Sequence, residues 1–313
     1  GACATTPDAP AASQADAGAS FGGAVASADP RATAAGEAML AQGGNAVDAA
    51  LATMIALTVV EPQSSGIGGG GFILLGQPDG SVQSYDGRET APSGATPEWF
   101  LDDESKPLPG REATISGLSV GVPGNIAVAA KIHAEHGSLA WAELFKPAIK
   151  LARDGFVLNP RLHSSLEGQV ARAGHTEQGR ALFYTAEGDP KPVGTQIVQP
   201  ELARTLMHLA ALGPEHFYEG AFGEGLAQTV SAETPRDGAM TASDVARYEA
   251  KLRDPVCGDY RGYKVCGMGP PSSGGFAVIG ILEQLERFDL AALGPRSVEA
   301  WHLFLEAQRL AYA

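Results

Sequence analysis

The stretch Ser84-Tyr-Asp-Gly-Arg88-Glu-Thr-Ala-Pro92 carries most of the information in this chain. Before it come a glycine loop, Glu61-Pro-Gln-Ser-Ser-Gly66-Ile-Gly-Gly-Gly-Gly71, and a short apolar run, Phe72-Ile-Leu-Leu75, that reads as a strand. An arginine on a loop leaving a strand, close to backbone stripped of side chains, is the layout needed to grip a small carboxylate. Its guanidinium is a rigid fork of donors matched to that group. The competing reading of Arg88 is a structural ion pair with Glu89 or another acid, because weak surface pairs are common. From the pattern alone both stay open.

Gly66 to Gly71 also satisfies the pattern G-x-G-x-x-G. A dinucleotide loop needs a strand before it and a helix after it. Here an apolar helical segment precedes and a strand follows, so a nucleotide-dependent oxidoreductase is the last of the readings. The preceding segments are punctuated clearly. Asp29-Pro30 pairs an N-cap with proline at the first helical position, and that helix stops at Gly43-Gly44. Asn45 caps the next helix with Asp48 three residues on; Val47, Leu51, Met54, Ile55 and Leu57 make it apolar on nearly every face, and Pro62 ends it.

Downstream, Ser138 to Gly155 has a helical pattern that Pro147 is expected to break in two. Leu202, Leu206 and Leu209 mark an amphipathic helix closed by Gly213-Pro214, and Pro270-Pro-Ser-Ser-Gly-Gly275 leads into an apolar helix from Phe276 to Leu285. A last helix starts at Ser297 and carries Val298, Trp301, Leu305 and Leu310 to Tyr312-Ala313 without a stop signal, so more polypeptide is expected beyond it.

The 313 residues include 36 acids against 22 Lys and Arg, a net charge of −14. No basic stripe is available to neutralise phosphates, which argues against a nucleic-acid partner. No apolar run approaches the ~20 residues of a membrane span. Residues 1–22 hold no Lys or Arg and read as a flexible tether, with residues 23–313 as the folded part of one domain. Within the tether, Gly1-Ala2-Cys3 followed by an Ala/Ser/Pro/Asp run is similar to the end of a bacterial lipoprotein signal. On that reading the only membrane attachment is a lipid at Cys3, and the location is periplasmic or secreted.

Cys257 and Cys266 flank Gly-Asp-Tyr-Arg-Gly-Tyr-Lys-Val. If Arg261-Gly262 is a two-residue hairpin turn, the cysteines face each other at a non-hydrogen-bonded position, with Cα atoms about 4.5 Å apart, the short end of the disulfide range. A disulfide and two reduced core cysteines both remain open.

Catalytic groups are scarce. His133 and His136 stand three apart before Gly137, with no further ligands in sequence, so they read as helix C-terminal residues facing water and no metal is expected. Ser64-Ser65 and Ser272-Ser273 precede glycines but do not form Gly-x-Ser-x-Gly, and read as turn residues. No nucleophile with an adjacent base emerges, and no cofactor is implied.

Seven segments occurring in order resemble the large subunit of the gamma-glutamyltranspeptidase family. They are Ala41-Gln-Gly-Gly-Asn-Ala-Val-Asp-Ala-Ala50, the 61–72 loop, Gly87-Arg-Glu-Thr-Ala-Pro92, Gly121-Val-Pro-Gly124, Lys146-Pro-Ala-Ile-Lys-Leu-Ala-Arg-Asp-Gly-Phe156, Asp259-Tyr-Arg-Gly-Tyr263 and Pro270-Pro-Ser-Ser-Gly-Gly275. The resemblance implies an α+β N-terminal nucleophile hydrolase, a four-layer α-β-β-α sandwich completed by a separate small subunit cut from the same precursor. The nucleophile would be the N-terminal threonine of that partner, whose own amine serves as base. Thr5 and Thr6 are not chain termini and are not candidates, so no catalytic residue is expected in this chain. Arg88 would hold the α-carboxylate of a γ-glutamyl group, with glutathione as donor and water, an amino acid or a peptide as acceptor. The alternatives are a related cephalosporin (glutaryl) acylase and a non-catalytic solute-binding or structural lipoprotein.

Overall fold

The computed structural model describes residues 22–313, so Cys3 and all but the last residue of the expected tether lie outside the described residues. Two helices open the fold, Pro30–Ala41 and Ala46–Val60. Asp29 accepts from the Arg31 amide at the first N-terminus, and Asn45 with Asp48 forms a complete capping box at the second. Asp48 is fully buried yet satisfied, since it also accepts from the amides of Ser138 and Leu139. The Ala46–Val60 helix is buried on nearly all faces and packs against Pro30–Ala41, Asn125–His136 and Trp141–Asp154. Its Leu51, Ile55, Val59 and Val60 form the middle of the main core with Ile126, Ile132, Leu144 and Phe145.

Proline 147 does not break its helix. Trp141–Asp154 is continuous with Pro147 inside it. Proline in a helix interior costs about 3 kcal/mol. Leu144, Phe145, Ala148 and Ala152, on both sides of Pro147, are fully buried, and the helix packs on Ala46–Val60 and Pro200–Leu212. Burying a large apolar side chain stabilises by roughly 1.5–3 kcal/mol, so packing outweighs the lost bond.

The main sheet has three antiparallel strands in the order β1 (Gly71–Gly76), β2 (Val82–Gly87) and β5 (Lys251–Arg253). Short strands β3 (Phe156–Val157) and β4 (Gln196–Ile197) pair separately. In the main sheet Phe72 opposes Asp86, and Asp86 opposes Lys251, so β2 is the central strand and Arg88 follows directly from it. The Asn125–His136 helix packs on β1 and β2 from the core side.

On that side the fully buried Tyr85 donates its hydroxyl to Glu135 at 2.7 Å, and His136 Nε2 lies 3.0 Å from the same oxygen. His133 Nε2 is 2.8 Å from the Leu139 carbonyl, and its ring leans on Trp141. Both histidines are therefore half-buried tertiary contacts, not the water-facing residues expected. Helical spacing predicts a shared face but not what covers it.

The C-terminal part forms a smaller unit. Strands β6 (Val256–Tyr260) and β7 (Tyr263–Gly267) make a hairpin whose turn residues Arg261 and Gly262 have φ of 50° and 82°. These positive angles are those of a type I′ turn. The register places Cys257 opposite Cys266 with Cα atoms 4.1 Å apart, and the two are joined as a disulfide. The hairpin packs on Gly274–Leu285, which packs on Val298–Ala311. Their shared core is small, comprising the buried Ile281, Leu285 and Ala307. Phe276, Val278, Trp301 and Leu305 stay exposed, as does Val298 at 86%. Among the described residues no helix is long and apolar enough to cross a membrane.

Candidate functional site

Arg88 leaves β2 at the rim of the main sheet, and its side chain is 52% exposed. The ion-pair reading can be examined directly. Arg88 Nε lies 3.0 Å from Glu89 Oε2, but that oxygen, though buried, has no hydrogen bond. The contact is close in distance and poor in direction, and a surface pair of this kind contributes about 0–1 kcal/mol. Among the described residues neither Nη of Arg88 has a protein acceptor, and the guanidinium stands 5.8 Å over the Phe72 ring. One edge of the fork rests against Glu89; the other is available to a planar anion.

The backbone beneath Arg88 is held more firmly than its side chain. Its amide donates to Asp86 Oδ1 at 2.9 Å, and its carbonyl accepts from the Tyr248 hydroxyl at 2.6 Å. Asp86 is buried, and its second oxygen accepts from Arg253 Nε at 2.9 Å. The following residues are fixed as well. Thr90 forms a two-way bridge with Val122, and Ser93 donates its amide to Asp244. Burial opposes the ionised form of Asp244, but hydrogen bonds from Ser93 and Thr241 outweigh it and hold the carboxyl at about 2. A cavity of about 310 Å³ lies beside this loop, with Thr90, Ser93, Val122, Asp244, Tyr248 and Lys251 in its wall.

The glycine loop and Gly121-Val-Pro-Gly124 meet under Arg88. Gly69 accepts the amides of Gly124 and Asn125, both at 3.0 Å, and the Asn125 side chain donates to Gly66 at 2.8 Å. A Cβ on Gly124 would overlap the Gly87 carbonyl oxygen and the Tyr248 hydroxyl; one on Gly70 would overlap Gly87 and Glu89. These glycines let three backbone segments touch. The loop follows a helix and precedes a strand, so the dinucleotide reading fails on the order of elements even though the glycine pattern is met.

The sequence pointed to Arg88 and the glycine loop but gave no sign of Tyr248, Arg253 and Asn125, whose side chains brace them. Asp86 was within reach, because a carboxylate two residues before an amide it can accept is a local turn motif. Tyr248 gave no signal, since it lies 160 residues from the carbonyl it binds. The paired serines make local turns. Ser272 accepts the Gly274 amide in a turn, as expected, whereas the turn at Ser64 and Ser65 is made by their backbone amides on Glu61. Among the described residues no cluster of three or more His, Cys, Asp or Glu is placed to hold a metal ion.

Comparison with known proteins follows the same elements. Residues 32–313 match the gamma-glutamyltranspeptidase family. The chain is 41% identical over 293 residues to the glutathione hydrolase proenzyme of Escherichia coli (strain K12), covering 93% of this chain and 50% of that protein. It is 38% identical over 292 residues to the acylase ACY 1 proenzyme of Pseudomonas sp. (strain SE83), covering 91% and 51%. The crystal structure of Helicobacter pylori gamma-glutamyltranspeptidase superposes with a TM-score of 0.87 at 36% identity, covering 94% of this chain and 83% of that one. The chain thus spans about half the length of the curated relatives it matches. Its α+β architecture is that of the N-terminal nucleophile hydrolases. With the match running through every segment from the first helix to the last residue, the chain belongs to the gamma-glutamyltranspeptidase family.

Proposed function

We propose that this chain is the large subunit of a gamma-glutamyltransferase or glutathione hydrolase, and that Arg88 binds the α-carboxylate of the γ-glutamyl donor. The observation that carries this reading is the open Nη edge of Arg88 on a rigidly held backbone. A carboxylate docked there forms a charge-assisted pair with the guanidinium and so holds the donor by its non-reacting end. The nucleophile is the N-terminal threonine of a small subunit released from the same precursor, in keeping with relatives named as proenzymes that are about twice as long. Threonine attacks the γ-carbonyl carbon and its proton passes to the terminal amine. The amine of the leaving group takes up a proton as the amide bond breaks, giving a γ-glutamyl ester that water or an amine acceptor then opens.

The exposed Phe276, Val278, Trp301 and Leu305 support a partner that covers the C-terminal unit and joins it to the rest of one domain spanning residues 23–313. Periplasmic or secreted location, with a lipid on Cys3, belongs to the same proposal and fits the disulfide. An acylase acting on a glutaryl group is the second reading, favoured by the relative named as an acylase.

The experiment is expression of the full precursor, then intact mass and N-terminal sequencing of every polypeptide, with rates on glutathione and a glutaryl amide. A second chain beginning with threonine and faster turnover of glutathione are expected. A precursor that stays uncut and inactive sinks the hydrolase reading; faster turnover of the glutaryl amide moves the acylase ahead.

A further inference from the structure

Both backbone polar groups of Arg88 are held by side chains, and one of those side chains comes from far away in sequence. The Asp86 carboxylate takes the amide, and the Tyr248 hydroxyl donates to the carbonyl at 2.6 Å. Tyr248 is itself braced. Its ring stacks on Tyr218 with centroids 5.8 Å apart and planes inclined by 13°. Tyr218, buried, donates its hydroxyl to the Pro123 carbonyl and accepts from the Ala127 amide, each at 3.0 Å. The turn it ties down, 123–127, contains Gly124, whose missing side chain makes room for the Tyr248 hydroxyl and the Gly87 carbonyl. A chain of contacts therefore runs from the Ala127 amide through two stacked tyrosines to the root of the Arg88 side chain.

We propose that Tyr248 is a positioning residue that sets the place of the Arg88 guanidinium by fixing the Arg88 carbonyl, and so sets the affinity for donors that carry an α-carboxylate. This inference rests on the proposed γ-glutamyl reading of Arg88. The Arg88 side chain has several rotatable bonds and little contact of its own, since Glu89 holds it poorly. Its only firm anchor is the backbone, and a bidentate pair tolerates a misplacement of only about 0.5 Å. The clamp also needs the phenol to remain a donor. Burial, with the Asp86 and Glu89 carboxylates nearby, pushes it up to about 12, so it stays protonated throughout the pH range of a working enzyme.

Arg88 grips a part of the substrate that does not react, so losing its placement weakens ground state and transition state alike. Such a loss raises KM and leaves kcat unchanged. The test uses the processed full-length protein with two probes, γ-glutamyl anilide and 4-aminobutanoyl anilide, which is the same donor without its α-carboxylate. Tyr248→Phe keeps the stacked ring and removes only the hydroxyl. It is expected to raise KM for γ-glutamyl anilide about 5–20-fold with kcat within about twofold, the pattern of lost uniform binding. It should leave kcat/KM for 4-aminobutanoyl anilide unchanged, and add nothing in an Arg88→Ala background. Unaltered KM in Tyr248→Phe overturns the inference. So does an equal loss with or without Arg88, which marks a general structural role; a Tm measured on each variant guards against misfolding. If Arg88→Ala itself leaves KM unchanged, the carboxylate reading fails and takes the positioning role with it. An Arg88→Ala defect that Tyr248→Phe still adds to removes the positioning role alone.

Discussion

On the proposed reading, recognition of the donor at Arg88 comes down to one guanidinium edge. Removing it with Arg88→Ala is expected to lower kcat/KM on a γ-glutamyl anilide by roughly 10²–10³, from the ~2–5 kcal/mol cost of truncating one partner of a charge pair that becomes buried when the donor binds. Near-normal kinetics would count against the ligand role. Arg88→Lys should also be poor, because an ammonium cannot present two parallel donors. Asp244 acts on stability instead. Its folded carboxyl sits at about 2, below the ordinary aspartate value of 3.8. The stability it contributes is therefore complete above about pH 4 and is lost as pH falls through about 2. Urea unfolding should show the wild type losing roughly 2 kcal/mol more than Asp244→Asn between pH 4 and pH 2, the size set by 1.36 kcal/mol per unit. Parallel acid slopes for the two proteins would show that Asp244 does not carry the dependence.

Among the elements, the glycine loop and the 121–124 turn decide how closely strand, loop and helix meet. Gly124→Ala places a methyl against the Gly87 carbonyl and the Tyr248 hydroxyl, whereas a methyl at Gly68 meets nothing within 4 Å. The first substitution should destabilise by about 1–3 kcal/mol, as other forced insertions into packed sites do, and raise KM for the donor. The second should stay within about 0.5 kcal/mol. Thermal melts of the two variants make the comparison, and equal Tm values would mean the backbone contact yields easily. Helix caps, the glycine-rich loop and the hairpin register were all legible in the sequence, because each depends on residues at most a few positions apart. The unbroken Trp141–Asp154 helix was not legible. Its survival depends on buried neighbours contributed by helices far along the chain.

Across the whole molecule, the imbalance is in the C-terminal unit, where a core of few buried residues lies beneath a broad apolar exterior. The isolated chain should bind a hydrophobic dye such as ANS, and, on the proposed two-subunit reading, assembly with the small subunit should suppress that signal. Leu305→Glu should leave the melting of the isolated chain almost unchanged, because Leu305 is 58% exposed, but should impair assembly. Normal assembly of that variant would place the partner elsewhere. The sequence by itself determined the capped helices on either side of Gly43-Gly44, the hairpin that makes Cys257 face Cys266, the glycine loop and Arg88 as the group to watch. Each is a matter of local spacing, turn chemistry or residue type. Only the tertiary structure decided that Tyr248 clamps the Arg88 carbonyl, that Glu89 grips the side chain weakly, and that His133 and His136 are taken up in packing. Those outcomes depend on distance between residues as much as 160 positions apart, which no local pattern encodes.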